Sequence, residues 1–126
     1  MNFPENLKYT KEHEWILVDG DTGTVGITEY AQGELGDVVF VELPAVGKAV
    51  KQGDAFGTIE AVKAVSDFYA PVSGSVVEVN QELAQTPEIV NKDPYGKGWM
   101  VKIRVGNPAE LSSLLNAHAY KELTGK

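Results

Sequence analysis

Apolar and polar positions alternate in short runs along most of this chain, and the runs predict strands more often than helices. His13 to Val18 reads as a strand, Asp19-Gly20-Asp21 as a turn, and Thr22 to Ile27 as the returning arm of a hairpin. Val38 to Leu43 is a compact strand. Ala55 to Val62 and Val65 to Tyr69 follow with almost nothing between them, and Ser75 to Val79 is another strand. In Trp99 to Val105 the alternation predicts Trp99, Val101, Ile103 and Val105 on one face and Met100, Lys102 and Arg104 on the other. Helical signals are fewer. Thr28 can cap a short helical turn through Leu35, weakened by Gly33. Asn107-Pro108-Ala109-Glu110 places a cap residue, a proline at the first helical position and an acid at the third. Leu111, Leu114 and Leu115 continue at helical spacing, Asn116 interrupts, and Ala117 to Leu123 predicts a second short helix.

A weak repeat underlies this order. Pro44-Ala45-Val46-Gly47-Lys48-Ala49-Val50 and Pro71-Val72-Ser73-Gly74-Ser75-Val76-Val77 share the pattern P-x-x-G-x-x-V, offset by 71 − 44 = 27 residues. One reading is a pair of similar turn-to-strand entries, which β proteins reuse. The other is a flattened barrel of two related halves flanking a hairpin that contains residues 55 to 69. The expected fold class is all-β: a flattened barrel or sandwich of two antiparallel sheets with a short C-terminal helical appendage. No linker or low-complexity segment divides residues 1–126, so one domain is expected, with its core over about 7–105 and its helices over about 107–123.

Composition narrows the function classes. The 126 residues suffice for one domain with a real core. Eighteen acids against eleven bases leave a formal charge of −7, which argues against nucleic acid and against an anionic membrane face. The chain has no cysteine, so disulfides, thiolate nucleophiles and iron–sulfur clusters are excluded, and any sulfur chemistry must come from an attached group. His13 and His118 are the only histidines and are far apart, so no histidine metal motif can be written. There is no apolar run long enough to span a bilayer, no signal sequence and, with Arg104 the single arginine, no Arg-rich transit peptide. A soluble, cytoplasmic chain of bacterial type is expected, or a mitochondrial-matrix one only after loss of a transit peptide.

Between the two repeats lies Glu60-Ala61-Val62-Lys63-Ala64-Val65-Ser66-Asp67. Lys63, between Val62 and Ala64, falls at the tip of the predicted hairpin. There its flexible stem can carry an attached group away from the sheet. The plain alternative is a solvated turn lysine. Glu60 and Asp67 suggest a general acid/base pair only weakly, because nothing else outlines a substrate pocket. Gly47, Gly53 and Gly57 do not compose a phosphate loop. His13, beside Trp15, reads as a structural or surface histidine rather than a base.

These blocks resemble the glycine cleavage system H proteins. The resemblance lies in Val39-Phe40-Val41-Glu42-Leu43-Pro44, in Gly57 through Asp67, and in Ala70-Pro71-Val72-Ser73-Gly74. It extends to Tyr9-Thr10, His13-Glu14-Trp15, Val25 through Gln32 and Pro94 through Met100, and so covers about Leu7 to Leu115. Ala61 stands where serine is common in that family; both are small, and the lysine assignment is little affected.

The resemblance implies lipoic acid in amide linkage on Lys63, one per chain, and a carrier rather than an enzyme. It implies as partners a pyridoxal-phosphate glycine decarboxylase, a tetrahydrofolate-dependent aminomethyltransferase and dihydrolipoamide dehydrogenase. It also implies a lipoate-protein ligase or a lipoyl/octanoyl transferase that modifies the lysine. Glu60, three residues before Lys63, is a candidate for recognition by that modifying enzyme. In the family the loaded arm folds back into a surface cleft. Glu14 and Asp67 match its acidic positions, and Glu12 is a further candidate. All three are expected to be strand-end acids whose contact with a cationic head is screened to about 1 kcal/mol. A biotinyl carrier is the alternative, disfavoured because Val62 and Ala64 replace the methionines usual around biotinyl-lysine. An unmodified binding module serving lipoate metabolism is the other.

Overall fold

The computed structural model describes all 126 residues, Met1 to Lys126. The order is β1 (Lys8–Tyr9), β2 (Glu14–Asp19), β3 (Thr22–Ile27), α1 (Glu29–Leu35), β4 (Val38–Glu42), β5 (Ala49–Val50), β6 (Ala55–Ala61), β7 (Val65–Tyr69), β8 (Gly74–Val79), α2 (Glu82–Gln85), α3 (Ile89–Lys92), β9 (Val101–Val105), a 3-10 helix (Pro108–Ser113) and α4 (Ala117–Thr124). The strands form two sheets, β1-β2-β3-β9-β8-β5 and β4-β6-β7. Every pairing is antiparallel, and neither sheet closes on itself.

The alternation explains how the sheets pack. Ile16, Val25, Val76, Val101 and Ile103 from the larger sheet meet Val41, Phe56, Ile59 and Phe68 from the smaller one in a single buried cluster. Leu83 of α2 and Val90 of α3 close its open side. A second buried cluster, Leu7, Tyr9, Trp15 and Tyr120, lies on the other face of β1 and β2 beneath α4. β2 is therefore covered on both faces, and Glu14, Trp15 and Ile16 are buried in succession. Trp15 lies flat over Gly26, its cross-strand partner; a β-carbon at Gly26 would stand 2.8 Å from the indole. Only glycine allows that approach in mid-strand.

The two repeats pair with each other. β5 and β8 are antiparallel neighbours with Val50 opposite Gly74 and Ala49 opposite Ser75. The residues paired across this ladder lie 24 and 26 apart, so the 27-residue offset of the pattern is not its register, and the hairpin between the two strands joins the other sheet. The repeat is imperfect: Val50 is buried, whereas Val77, its counterpart in the pattern, follows buried Val76 on the strand and faces outward beside the bulge between Val76 and Glu78.

Several expectations need correction. His13 is not part of β2: its φ of 73° places it in the left-handed region, and the strand begins at Glu14. Met100 is fully buried in the main core rather than sharing a face with Lys102 and Arg104, because the regular strand starts only at Val101. The segment after Asn107 is a 3-10 helix; Leu115 leaves it to exchange two backbone hydrogen bonds with Tyr9, both 2.8 Å. Asn116 does not merely interrupt. Its side chain caps α4 by accepting from the Ala119 N–H, and Gly125 ends that helix at φ 73°. α2 and α3 occupy a stretch in which the pattern predicted no element.

Candidate functional site

Lys63 is exposed at the tip between β6 and β7. The tip is fixed by two backbone bonds. The Ala61 N–H donates to the Ala64 carbonyl at 2.7 Å, and the Val62 N–H donates to the Asp37 carbonyl at 2.9 Å. The second ties the hairpin to the segment that leaves α1. In that segment Gly36 has φ 84°, and a β-carbon there would meet the Lys63 Cε at 2.9 Å. The lysine stem therefore rests against a bare α-carbon. Asn91 of α3 holds this platform: its amide donates to the Gly36 carbonyl at 2.8 Å and its carbonyl oxygen accepts from the Val38 N–H at 2.8 Å.

Val62 and Val65 beside the tip are 75% and 66% exposed. Across the smaller sheet Glu60 pairs with Phe40 on one side and Val65 on the other. Phe40 is also exposed, whereas Ile59 turns into the core. Glu60 thus lies on the outer face in an apolar row next to the lysine turn. It is separate from the acids described next.

Glu12, Glu14 and Asp67 line one cleft of about 130 Å³. Ile27, Ala31, Leu35 and Ile59 give it an apolar lining. Its walls come from the β1–β2 turn, from α1 and from the β6–β7 hairpin, and α1 runs directly into the Gly36 platform under Lys63. The cleft contains a fourth acid, Glu34, together with His13 and Ser66. Glu34 was not among the expected acids; the sequence signal for it was its place on the last turn of the helix capped by Thr28.

The acids are not equivalent. Glu12, Glu34 and Asp67 are exposed, as strand-end or helix-surface acids should be. Glu14 departs from expectation: it is 2% exposed. One carboxylate oxygen accepts from the Thr10 hydroxyl at 2.5 Å and the other from the Tyr69 N–H at 3.2 Å. Burial pushes its carboxyl up to about 7, against those two hydrogen bonds, which act the other way. Burial also lowers the His13 imidazole, opposed by Glu12 and Glu34. The cleft therefore has an acidic rim, an imidazole in its wall that burial biases toward the uncharged form, and one deep carboxyl raised to about 7.

A larger cavity of about 240 Å³ lies on the other side of Glu14, lined by Tyr9, Gln52, Gly53, Tyr69 and Pro71 among others. It sits at the far end of the β6–β7 hairpin from Lys63, where Ala55 pairs with Tyr69. No helix of the protein is long and apolar enough to cross a membrane.

Residues 7–126 match the family described as glycine cleavage H-protein. A glycine cleavage system H protein of Staphylococcus carnosus (strain TM300) is 58% identical over 126 residues, with 100% of both chains covered. Another, from Carboxydothermus hydrogenoformans, is 58% identical over 120 residues, covering 95% of this chain and 92% of its own. The crystal structure of a glycine cleavage system H protein from Mycobacterium marinum superposes with a TM-score of 0.87 at 41% identity, covering 98% of this chain and 99% of that one.

Proposed function

The chain belongs to the glycine cleavage H-protein family, and from that premise we propose that Lys63 bears a lipoyl group and that the cleft shelters its loaded end. The protein is a carrier in the glycine cleavage system, not an enzyme. It shuttles the aminomethyl group of glycine from a pyridoxal-phosphate decarboxylase to a tetrahydrofolate-dependent aminomethyltransferase, and dihydrolipoamide dehydrogenase reoxidises it. Residues 1–126 act as one lipoyl-carrier domain.

The observation that carries the site assignment is the juxtaposition of an exposed, rigidly presented lysine with an acid-rimmed apolar cleft. Both ends suit the group. Ser66 and Asp67 of the cleft lie on β7, the strand that leaves the lysine turn, so the arm starts beside the cleft that would receive it. When bound, the group supplies the two sulfurs that this cysteine-free chain lacks.

The chain's own residues do the rest. The Ala61–Ala64 turn and the Val62–Asp37 bond fix where the arm starts, which makes encounters between cargo and partner effectively local. Ile27, Ala31, Leu35 and Ile59 exclude water from the apolar part of the arm. Thr10 and the Tyr69 N–H orient the Glu14 carboxylate, and Asp67, Glu12 and Glu34 surround the cleft with negative charge that favours an ammonium head. Glu60, flanked by Phe40 and Val65, offers the modifying enzyme a charged mark on an apolar row. That enzyme is a lipoate-protein ligase or a lipoyl/octanoyl transferase.

Intact mass tests the assignment. Protein isolated from a lipoate-replete host should carry one lipoyl addition per chain, and Lys63→Arg should fold normally and carry none, despite nine other lysines. A lipoyl addition persisting in Lys63→Arg removes the assignment. A biotin mass, or none in the presence of competent ligase, would return the biotinyl or unmodified reading.

A further inference from the structure

Tyr120 comes from the C-terminal helix, distant in sequence from the cleft, yet its hydroxyl joins two of the cleft's walls. It lies 2.8 Å from His13 Nδ1 and 2.7 Å from Thr28 Oγ1. His13 belongs to the wall made by the β1–β2 turn, with Glu12 and Glu14 on either side. Thr28 caps α1, whose Ala31, Glu34 and Leu35 form the facing wall.

The bridge is built to hold. Tyr120 and Thr28 are both fully buried. The Tyr120 ring is stacked on Tyr9, with centroids 4.7 Å apart and planes within 6°, and is met edge-on by Phe3 at 5.5 Å. Those contacts leave the hydroxyl little freedom. Thr28 Oγ1 already accepts from the Ala31 N–H, so it can donate to Tyr120, and Tyr120 can donate to Nδ1 of a neutral His13. His13 needs such support. A non-glycine residue at φ 73° persists only where its surroundings determine it. Its backbone is held by bonds from its N–H to the Thr10 carbonyl and from the Thr28 N–H to its own carbonyl. Its ring is held by Tyr120 and by Tyr30, whose centroid is 4.8 Å away.

We propose that the Tyr120 hydroxyl is a positioning group for the cleft: by bonding His13 on one wall and Thr28 on the other, it sets the spacing between which the loaded arm is sheltered. The proposal rests on the sheltering reading above. It makes the C-terminal helix part of the carrier's function, although no residue of that helix lines the cleft.

The test loads the aminomethyl cargo on lipoylated protein and follows its loss without the transferase. In that decay the cargo carbon takes a water oxygen and leaves as formaldehyde, its nitrogen leaves as ammonium, and the sulfur regains a proton. The parent should release more slowly than the same cargo on free dihydrolipoamide. Tyr120→Phe should release about fivefold faster than the parent, the factor that one net hydrogen bond carries. His13→Gly, which keeps the backbone angle without strain, should be similarly fast, and the double variant no faster, because a bridge is broken at either end. Val76→Ala, a core change on β8, which contributes no residue to the cleft, should lower the melting temperature without accelerating release. On the unmodified chain, Tyr120→Phe should move the His13 Nδ1 nitrogen resonance. A folded Tyr120→Phe with parental release and an unmoved resonance overturns the proposal, as does a double variant in which the two effects add fully. If Tyr120→Phe does not fold, parental release from His13→Gly overturns it. A parent as leaky as free dihydrolipoamide removes the sheltering reading itself, and this proposal with it.

Discussion

Glu14→Gln on the unmodified chain isolates the energetic consequence of a buried acid. The unfolded carboxyl titrates near 4.5 and the folded one near 7. Below the lower value both states are protonated and the group contributes nothing to the pH dependence. Between the two, the folded protein keeps a proton that the unfolded chain has lost, so stability falls as pH rises. Above about 7 both are ionised and the loss is complete. The gap corresponds to about 3 kcal/mol, a large share of the 5–15 kcal/mol typical of a domain. Glutamine does not titrate, but it has one acceptor oxygen where the carboxylate has two: with that oxygen on the Tyr69 N–H, its amide nitrogen faces Thr10, whose hydroxyl loses its acceptor. That costs about 1 kcal/mol at every pH.

The signs therefore cross. Glu14→Gln should be less stable than the parent by about 1 kcal/mol at pH 4 and more stable by about 2 kcal/mol at pH 8. Urea unfolding of both proteins from pH 4 to pH 8.5, read as the difference in extrapolated stability, measures this directly. Taking the difference largely cancels the other acids, since only Glu12 among them raises the Glu14 carboxyl. A flat difference would refute the reasoning. A parent that gains on the variant as pH rises would show that the Thr10 and Tyr69 hydrogen bonds outweigh burial.

Two further outcomes concern the tip. Glu60→Gln keeps shape and removes charge; a purified lipoate ligase should modify it at least about threefold more slowly, and a parental rate removes Glu60 from recognition. Gly36→Ala places a β-carbon 2.9 Å from the Lys63 Cε in a backbone conformation at φ 84°. It should lose about 1–2 kcal/mol of stability and be acylated more slowly, and unchanged acylation would show that the lysine does not need the platform.

The hairpin with Lys63 at its tip is legible because its determinants are local: two strand-like runs separated only by Lys63 and Ala64. The capped start of α1 was legible for the same reason, and Thr28 does accept from the Ala31 N–H. Gathering Glu12, Glu14 and Asp67 in one cleft followed from the family resemblance, not from any pattern in the residues. The exposure of Glu14 was misjudged because alternation assigns one solvent face to a strand, and β2 has none at that point: the main core covers one side and the Tyr9–Trp15–Tyr120 cluster the other. Tyr120 was invisible for a related reason. Its partners lie 107 and 92 residues away, and helical periodicity says only that its side faces something apolar. Asn91, which fixes the Gly36 platform from α3, carries no local signal at all.

If the cleft shelters the loaded arm as proposed, the uneven burial of the four cleft acids has a physical use. A rim of exposed carboxylates attracts an ammonium weakly, since water and salt screen each contact to about 1 kcal/mol or less. A single carboxyl in low dielectric acts more strongly on a nearby cation, and it is neutral part of the time near pH 7. An arriving cationic head favours the ionised form of Glu14, so its energy comes partly from relieving an acid that folding had left poorly solvated. With no head present the same carboxyl can hold its proton and avoid most of that cost. Four permanently buried charges would bind more tightly but would destabilise the empty carrier and hold the arm when a partner enzyme must withdraw it. One deep acid oriented by Thr10 and Tyr69, with the others left in water, combines a favourable resting place with a release that a competing site can drive.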